Sequence, residues 1–308
     1  MAEMQRWTVT EPYIKMSCGL GEAPYYESSR HTLRFVDIVK EKLHIVDLNK
    51  GPSSLESFDL GTPVSTTADI EGSDDEIIVG AKHGYAIMNR NTKKLEYIKK
   101  VWEERDGLGK DERMRFNDGV VDHEGRYWAS TMNDPKVKAP PTDEGVLFRL
   151  DPDMTLHRMI EKVSIPNGIC FSPDAKIMYF IDSPTSNVFK FEYDRKTGDI
   201  SNREVFYHVE GDAVPDGMTI DVNGCLWIAI CGGGKVLKVS PEAKVVGEIL
   251  LPYARMITCP AFADEDLFIT SAEEEEPDKY PDSVKYGGSL FKVHVGVNGL
   301  GVHNFKRR

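Results

Sequence analysis

Cysteine is scarce and unpatterned in this 308-residue chain: Cys18, Cys170, Cys225, Cys231 and Cys259 are scattered, odd in number and without a CxxC spacing. That excludes a disulfide framework and a thiolate zinc motif, and reduced thiols point to a cytoplasmic location. Long apolar runs are also missing. No window approaches the ~20 apolar residues of a membrane helix, and Met1 to Tyr13 lacks the apolar segment of a secretory signal. Basic residues are outnumbered, 38 Lys and Arg against 50 Asp and Glu, for a net charge of −12. Such a surface repels a phosphate backbone or an anionic bilayer, so neither nucleic acid nor membrane is an expected partner. The basic end, Lys306 to Arg308, reads as a solvated tail. Helical periodicity is absent over any long stretch.

Strand-forming runs are abundant. Hydrophobic residues make up 40% of the chain, enough for a sizeable core. Six β-branched and aromatic runs stand out, at Leu33–Asp37, Glu76–Gly80, Arg126–Ala129, Met178–Asp182, Leu226–Ala229 and Leu267–Thr270. Each is followed by a turn and a partner run, at Leu43, Tyr85, Gly145, Val188, Val236 and Ser289. From Leu33 to Leu267 the spacing averages about 47 residues, which is the period of a propeller blade and leaves room for four short strands. Turns such as Asp122-His123-Glu124-Gly125, Ser172-Pro173-Asp174-Ala175 and Asp221-Val222-Asn223-Gly224 suit hairpins. A pair of β-sandwiches would also use short strands but gives no reason for this period. The expected fold is therefore all-β, a six-bladed β-propeller with four short antiparallel strands per blade, occupying residues 1–308 as one domain.

Four segments place a carboxylate or amide beside Gly or Pro, roughly ten residues ahead of a strong run: Gly21-Glu22-Ala23-Pro24, Arg115-Phe116-Asn117-Asp118-Gly119, Pro166-Asn167-Gly168 and Pro215-Asp216-Gly217. Taken singly, Asn-Gly and Asp-Gly most often mark hairpin turns. Their recurrence at one place in successive repeats instead brings the side chains to the same end of a central channel. An all-oxygen set of that kind suits a hard divalent cation, which would also relieve the repulsion between buried carboxylates.

At these residues the sequence resembles the senescence marker protein/gluconolactonase family, whose relatives include regucalcin and the luciferin-regenerating enzyme. The likeness spans most of the chain, through GEAP around Glu22, RFNDGVVDHEGRYWASTM from Arg115, IPNGICFSPDAKIMYFIDS from Ile165, PDGMTIDVNGCLWIAICGGGKV from Pro215 and FITSA ending at Ala272. It implies a six-bladed propeller with one divalent metal ion (calcium, zinc, magnesium or manganese) held by Glu22, Asn167 and Asp216. It further implies Asn117 as a pocket residue and Arg115 as a donor to substrate oxygens, while Asp118 either braces its loop or touches ligand. Lactone-hydrolysing animal members resemble GTM followed by two acidic residues. Here Ser130-Thr131-Met132 leads into Asn133-Asp134-Pro135, so the substrate-contacting Glu is missing or replaced by Asp134.

The implied activity is opening of a small sugar-derived lactone by metal-activated water, with Asp216 as the catalytic base, by a monomer or weak homo-oligomer. A phosphotriesterase or other esterase on the same metal site and a non-catalytic calcium-binding propeller are the alternatives. No GxSxG elbow supports a serine nucleophile. The acidic run Glu273 to Glu276, with Asp278 and Asp282, reads as a solvated loop, with a lid over the channel mouth as the sharper alternative. Trp102, Trp128 and Trp227 read as core or channel packing. Gly232-Gly233-Gly234 lacks the strand-loop-helix context of a phosphate-binding loop.

Overall fold

A computed structural model describes residues 4–308, folded into six β-sheets. Each of the six strong runs forms the second strand of a sheet: Thr32–Asp37, Glu76–Ala81, Tyr127–Asn133, Ile177–Asp182, Leu226–Cys231 and Asp266–Ser271. Their partner runs form the third strands. The first strands are Gly21–Glu27, Val64–Asp69, Met114–Val121, Pro166–Phe171, Val214–Ile220 and Ile257–Ala263, and each packs against the first strand of the next sheet, the sixth against the first. That cyclic contact makes the assembly a six-bladed propeller, with the first strands around the axis.

Second strands are the most apolar because they are covered by a blade on either side. Trp128 and Trp227 are fully buried there. Both indoles donate to an aspartate six residues earlier, Trp128 to Asp122 Oδ2 at 2.9 Å and Trp227 to Asp221 Oδ2 at 3.1 Å. The second carboxylate oxygen accepts backbone N–H groups of the hairpin, from Glu124 and Arg126 in one blade and Asn223 and Cys225 in the other. One aspartate in each of these two blades thus closes the turn and seats the core tryptophan. Trp102 is also buried, packed on Phe148.

Ring closure modifies the four-strand plan in two blades. Gln5–Thr8 adds a fifth strand, parallel to Val245–Leu250 in the fifth blade. The sixth sheet has three strands, and Ile14 pairs with Leu290 at its free edge through N–O distances of 3.0 and 3.1 Å. The start of the chain therefore covers an edge that would otherwise stand open between first and last blades. At the opposite face, Leu300–His303 lies across the end of the channel, and Phe305, fully buried, bridges Ile70. Among the described residues no helix is long and apolar enough to cross a membrane.

Candidate metal and active site

Every first strand carries a break in its register with the second, between Glu22 and Tyr25, Val64 and Thr66, Phe116 and Gly119, Asn167 and Ile169, Pro215 and Met218, and Ile257 and Pro260. Such bulges re-aim side chains, and four of the six fall on the motifs that stand out in the sequence. The glycines following Asn167 and Asp216 do not serve turns. A Cβ on Gly168 would lie 2.9 Å from Met218 N and 3.0 Å from Asp216 O, and one on Gly217 would lie 2.5 Å from Cys259 Sγ and 2.8 Å from Thr258 O. Neighbouring first strands converge too closely on the axis for any side chain at these positions.

Three carboxylates from alternate blades face one another across the axis. Burial, and then the charges of Asp216 and Asp118, push the Glu22 carboxyl well above its ordinary range. Burial and Asp118 do the same to Asp216, and burial lifts Asp118 to about 6. Their mutual influence sets them within Coulombic range of one another. Glu22 Oε2 accepts the N–H of Ala23 at 3.0 Å, Ala23 itself lying in the left-handed region, and Asp118 Oδ1 accepts the N–H of Gly119 at 2.6 Å.

The amides form a chain linking three blades. Arg115 Nη1 donates to Asn117 Oδ1 at 2.8 Å, Asn117 Nδ2 donates to Asn167 Oδ1 at 2.9 Å and to Pro166 O at 2.8 Å, and Asn167 Nδ2 donates to Ser183 Oγ at 2.8 Å. Ser183 Oγ then donates to Pro215 O at 2.7 Å, beside Asp216. This chain fixes which atom of Asn167 is oxygen and leaves that oxygen one lone pair free. The donor set fits a divalent cation: the buried carboxylates of Glu22 and Asp216, the half-buried one of Asp118 and the amide of Asn167 all offer oxygen, and Arg115 is only a minor lowering influence on Glu22.

The site separates two cavities. On the mouth side a cavity of about 250 Å³ is lined by Arg115, Asp134, Cys231, Thr258 and Glu275 among others. On the far side one of about 120 Å³ touches Asp118, Cys170 and Cys259 and is closed by Leu300–His303. Asp118 therefore faces away from the mouth, whereas Arg115 on the same strand faces into it.

Asp134 reaches the mouth but is already paired: its Oδ2 lies 2.5 Å from Lys82 Nζ and its Oδ1 accepts Lys136 N at 3.0 Å. Burial raises its pKa, and Lys82 more than offsets that, leaving it below the ordinary carboxylate range. The acidic run is partly anchored. Glu274 pairs with Arg255 at 3.0 and 2.6 Å, Glu273 with Lys40 at 2.7 Å, and Glu275 borders the mouth. The amides of Gly232, Gly233 and Gly234 all donate to backbone carbonyls, so none is free to bind phosphate.

Sequence reasoning passed over Thr258, whose Oγ1 lies 2.5 Å from the carbonyl of Gly21 and steadies the approach to Glu22. It also passed over Cys231, whose thiol adjoins Asp216. Thr258 falls within the bulge of the sixth blade, and counting back from the second strand would have flagged it. All five cysteines are free. Away from the axis, Cys18, Asp37 and His44 present potential ligand atoms within 4.8 Å of one another.

A family model described as "SMP-30/Gluconolactonase/LRE-like region" matches residues 20–273. YvrE of Bacillus subtilis (strain 168), whose name proposes a sugar lactone lactonase, is 33% identical over 285 residues, covering 91% of this chain and 92% of that protein. Regucalcin of Bos taurus is 33% identical over 298 residues, covering 94% and 96%. The crystal structure of a calcium-binding regucalcin from Agrobacterium tumefaciens superposes with a TM-score of 0.86 at 25% identity, covering 99% of both chains.

Proposed function

Because the chain belongs to the SMP-30/gluconolactonase/LRE-like family, we propose that it is a divalent-metal-dependent hydrolase of small sugar-derived lactones, with Glu22, Asn167 and Asp216 as the metal-holding residues. The observation that carries this reading is the mutual repulsion of the Glu22, Asp216 and Asp118 carboxylates at the axis, beside an amide oxygen of Asn167 oriented by Asn117. When bound there, a divalent ion supplies Lewis-acid polarisation of the ester carbonyl, typically worth several kcal/mol.

The protein's own groups do the rest. Asp216, besides helping to hold the ion, would be the group that takes the proton of the attacking water. Asn117 holds the oxygen of Asn167 inward and is itself held by Arg115. Arg115 spends Nη1 on Phe116 O and Asn117 and presents the remainder of its guanidinium to the mouth, where substrate hydroxyl or carbonyl oxygens would be received. Asp134, kept ionised by Lys82, lines the same mouth as Arg115. The names carried by the relatives, a sugar lactone lactonase and a calcium-binding regucalcin, support the substrate class and the hard cation.

The test is hydrolysis of a panel of five- and six-membered sugar lactones by chelator-treated protein, with calcium, zinc, magnesium or manganese restored singly. Metal-restored turnover that disappears in Asp216→Ala supports the reading. Tight calcium binding without turnover of any lactone or organophosphate would replace it with a binding protein.

A further inference from the structure

A second cluster of metal-ligating side chains lies in the first blade, off the axis. Cys18 Sγ is 3.8 Å from His44 Nε2, and a carboxylate oxygen of Asp37 lies within 4.8 Å of both. The three come from separate segments: Cys18 from the closing segment, its N–H bonded to Gly288 O at 2.9 Å, Asp37 from the end of the second strand, and His44 from the third. All are nearly sealed, at 2%, 1% and 4% exposure.

The surroundings orient the donors. His44 Nδ1 meets Ser57 Oγ at 2.7 Å, which turns Nε2 toward the thiol, and Phe35 stacks on the ring at 4.9 Å. Asp37 accepts the N–H groups of Gly19 at 2.8 Å on Oδ2, and of Leu20 at 3.2 Å and Lys40 at 3.0 Å on Oδ1, so Oδ2 keeps a lone pair. Backbone and hydroxyl partners of this sort hold ligands in place at metal sites. In the fourth blade Asp182 braces Ser164 and Ile165 in the same way, yet the places of Cys18 and His44 belong to Val163 and Phe189, the latter opposite Phe180 as His44 is opposite Phe35. The brace therefore needs neither thiol nor imidazole, and their presence in the first blade requires a separate reason.

We propose that Cys18, Asp37 and His44 form a second cation site, selective for a thiophilic divalent ion of the zinc class. A tetrahedral ion about 2.3 Å from sulfur and about 2.0 Å from nitrogen holds those donors roughly 3.5 Å apart, a small contraction of the spacing observed. Thiolate, carboxylate and neutral imidazole together cancel the charge of a divalent ion, which a sealed site requires. Burial keeps His44 neutral, its pKa pushed down to about 4; with the ring proton on Nδ1 toward Ser57, the Nε2 lone pair points at the Cys18 thiol. Burial and the charge of Asp37 raise the Cys18 pKa and hold its thiol protonated, so an ion must displace that proton, which is released to solvent as the metal–sulfur bond forms. The axial site offers oxygen donors and this one sulfur and nitrogen, so the two sort ions by hardness.

Cobalt(II) titration of chelator-stripped Asp216→Ala protein tests the proposal without reference to lactone hydrolysis. One equivalent should bind with thiolate-to-cobalt charge-transfer absorption in the near ultraviolet, bleached by zinc and unaffected by magnesium. The band should vanish in the Cys18→Ser and His44→Gln versions, checked by circular dichroism for an intact sheet signal, and persist in the Cys231→Ser version. No band, or one that survives Cys18→Ser, overturns the site. If Asp216→Ala does not fold, the same titration of wild-type protein decides the matter: Cys18→Ser should reduce bound cobalt by one equivalent, and an unchanged stoichiometry overturns the site.

Discussion

Asn117 donates from Nδ2 to Oδ1 of Asn167 at 2.9 Å, so a residue of the third blade decides which way an amide of the fourth blade presents its oxygen. Without that bond the Asn167 amide could rotate and turn its NH2 toward the cation. Outer partners of this kind typically contribute about 10- to 100-fold to metal affinity or activity. Asn117→Ala is expected to weaken divalent-ion binding and lower kcat/KM by about that factor. Calorimetric titration beside lactone kinetics would measure it, and unchanged affinity would remove Asn117 from this role.

Asp216 illustrates a conflict between function and stability. In the metal-free protein its charge opposes Asp118 and Glu22 in a buried setting. Asp216→Ala should abolish lactone hydrolysis, while in the presence of chelator its melting temperature should equal or exceed that of the parent. Scanning calorimetry with and without chelator reads both states. A large loss of metal-free stability would show that Asp216 is a structural residue.

Chelation should destabilise the parent protein. An ion bound only by the folded state at 100 times its Kd adds about 2.7 kcal/mol. The melting temperature should therefore climb with the logarithm of free calcium. The carboxylate cluster makes this dependence expected, and a flat response would mean that no ion binds at the axis.

Glu27 carries the clearest pH dependence. It receives Arg34 Nη1, Arg90 Nη1 at 2.5 Å and Thr32 Oγ1 at 2.7 Å, while Arg34 and Arg90 also reach Asp69, each at 2.6 Å. Burial alone would raise its pKa, but Arg34 and then Arg90 more than offset that and bring it to about 2 from 4.5. Since the folded value lies below the unfolded one, the stabilisation is complete above about pH 4.5 and disappears as the pH falls toward 2, a contribution of order 3 kcal/mol. Urea midpoints across that range should fall steeply for the parent and more shallowly for Glu27→Gln, which begins lower at pH 7 because Arg34, 1% exposed, loses a partner.

Gly217 reports on the convergence at the axis. A methyl group there meets Cys259 and the Thr258 carbonyl below 3 Å. Gly217→Ala should cost about 1 to 3 kcal/mol and displace Asp216 enough to weaken ion binding. Chemical denaturation and metal titration of the same variant would show whether the two losses travel together.

The blade count, the second and third strands, and the oxygen-bearing motifs were all legible in the amino-acid order. Each depends on neighbours within one hairpin: apolar alternation, an aspartate closing a turn six residues before its tryptophan, a recurring offset. The motifs also restricted the proposed axial ligands to oxygen donors, since Glu22, Asn167 and Asp216 offer carboxylate and amide oxygens. Tertiary structure decided what depends on distant segments meeting. The glycines beside Asn167 and Asp216 look like turn residues until adjacent first strands are seen to crowd them. Asp134 looks free until Lys82, 52 positions away, takes its Oδ2. Cys18, Asp37 and His44 have no recognisable spacing and become a cluster only when the second and third strands of the first blade pair and the segment leading into the blade folds onto Asp37. Local sterics and hydrophobic patterning act along the chain, whereas tertiary packing brings together side chains whose separation in sequence carries no trace of their separation in space.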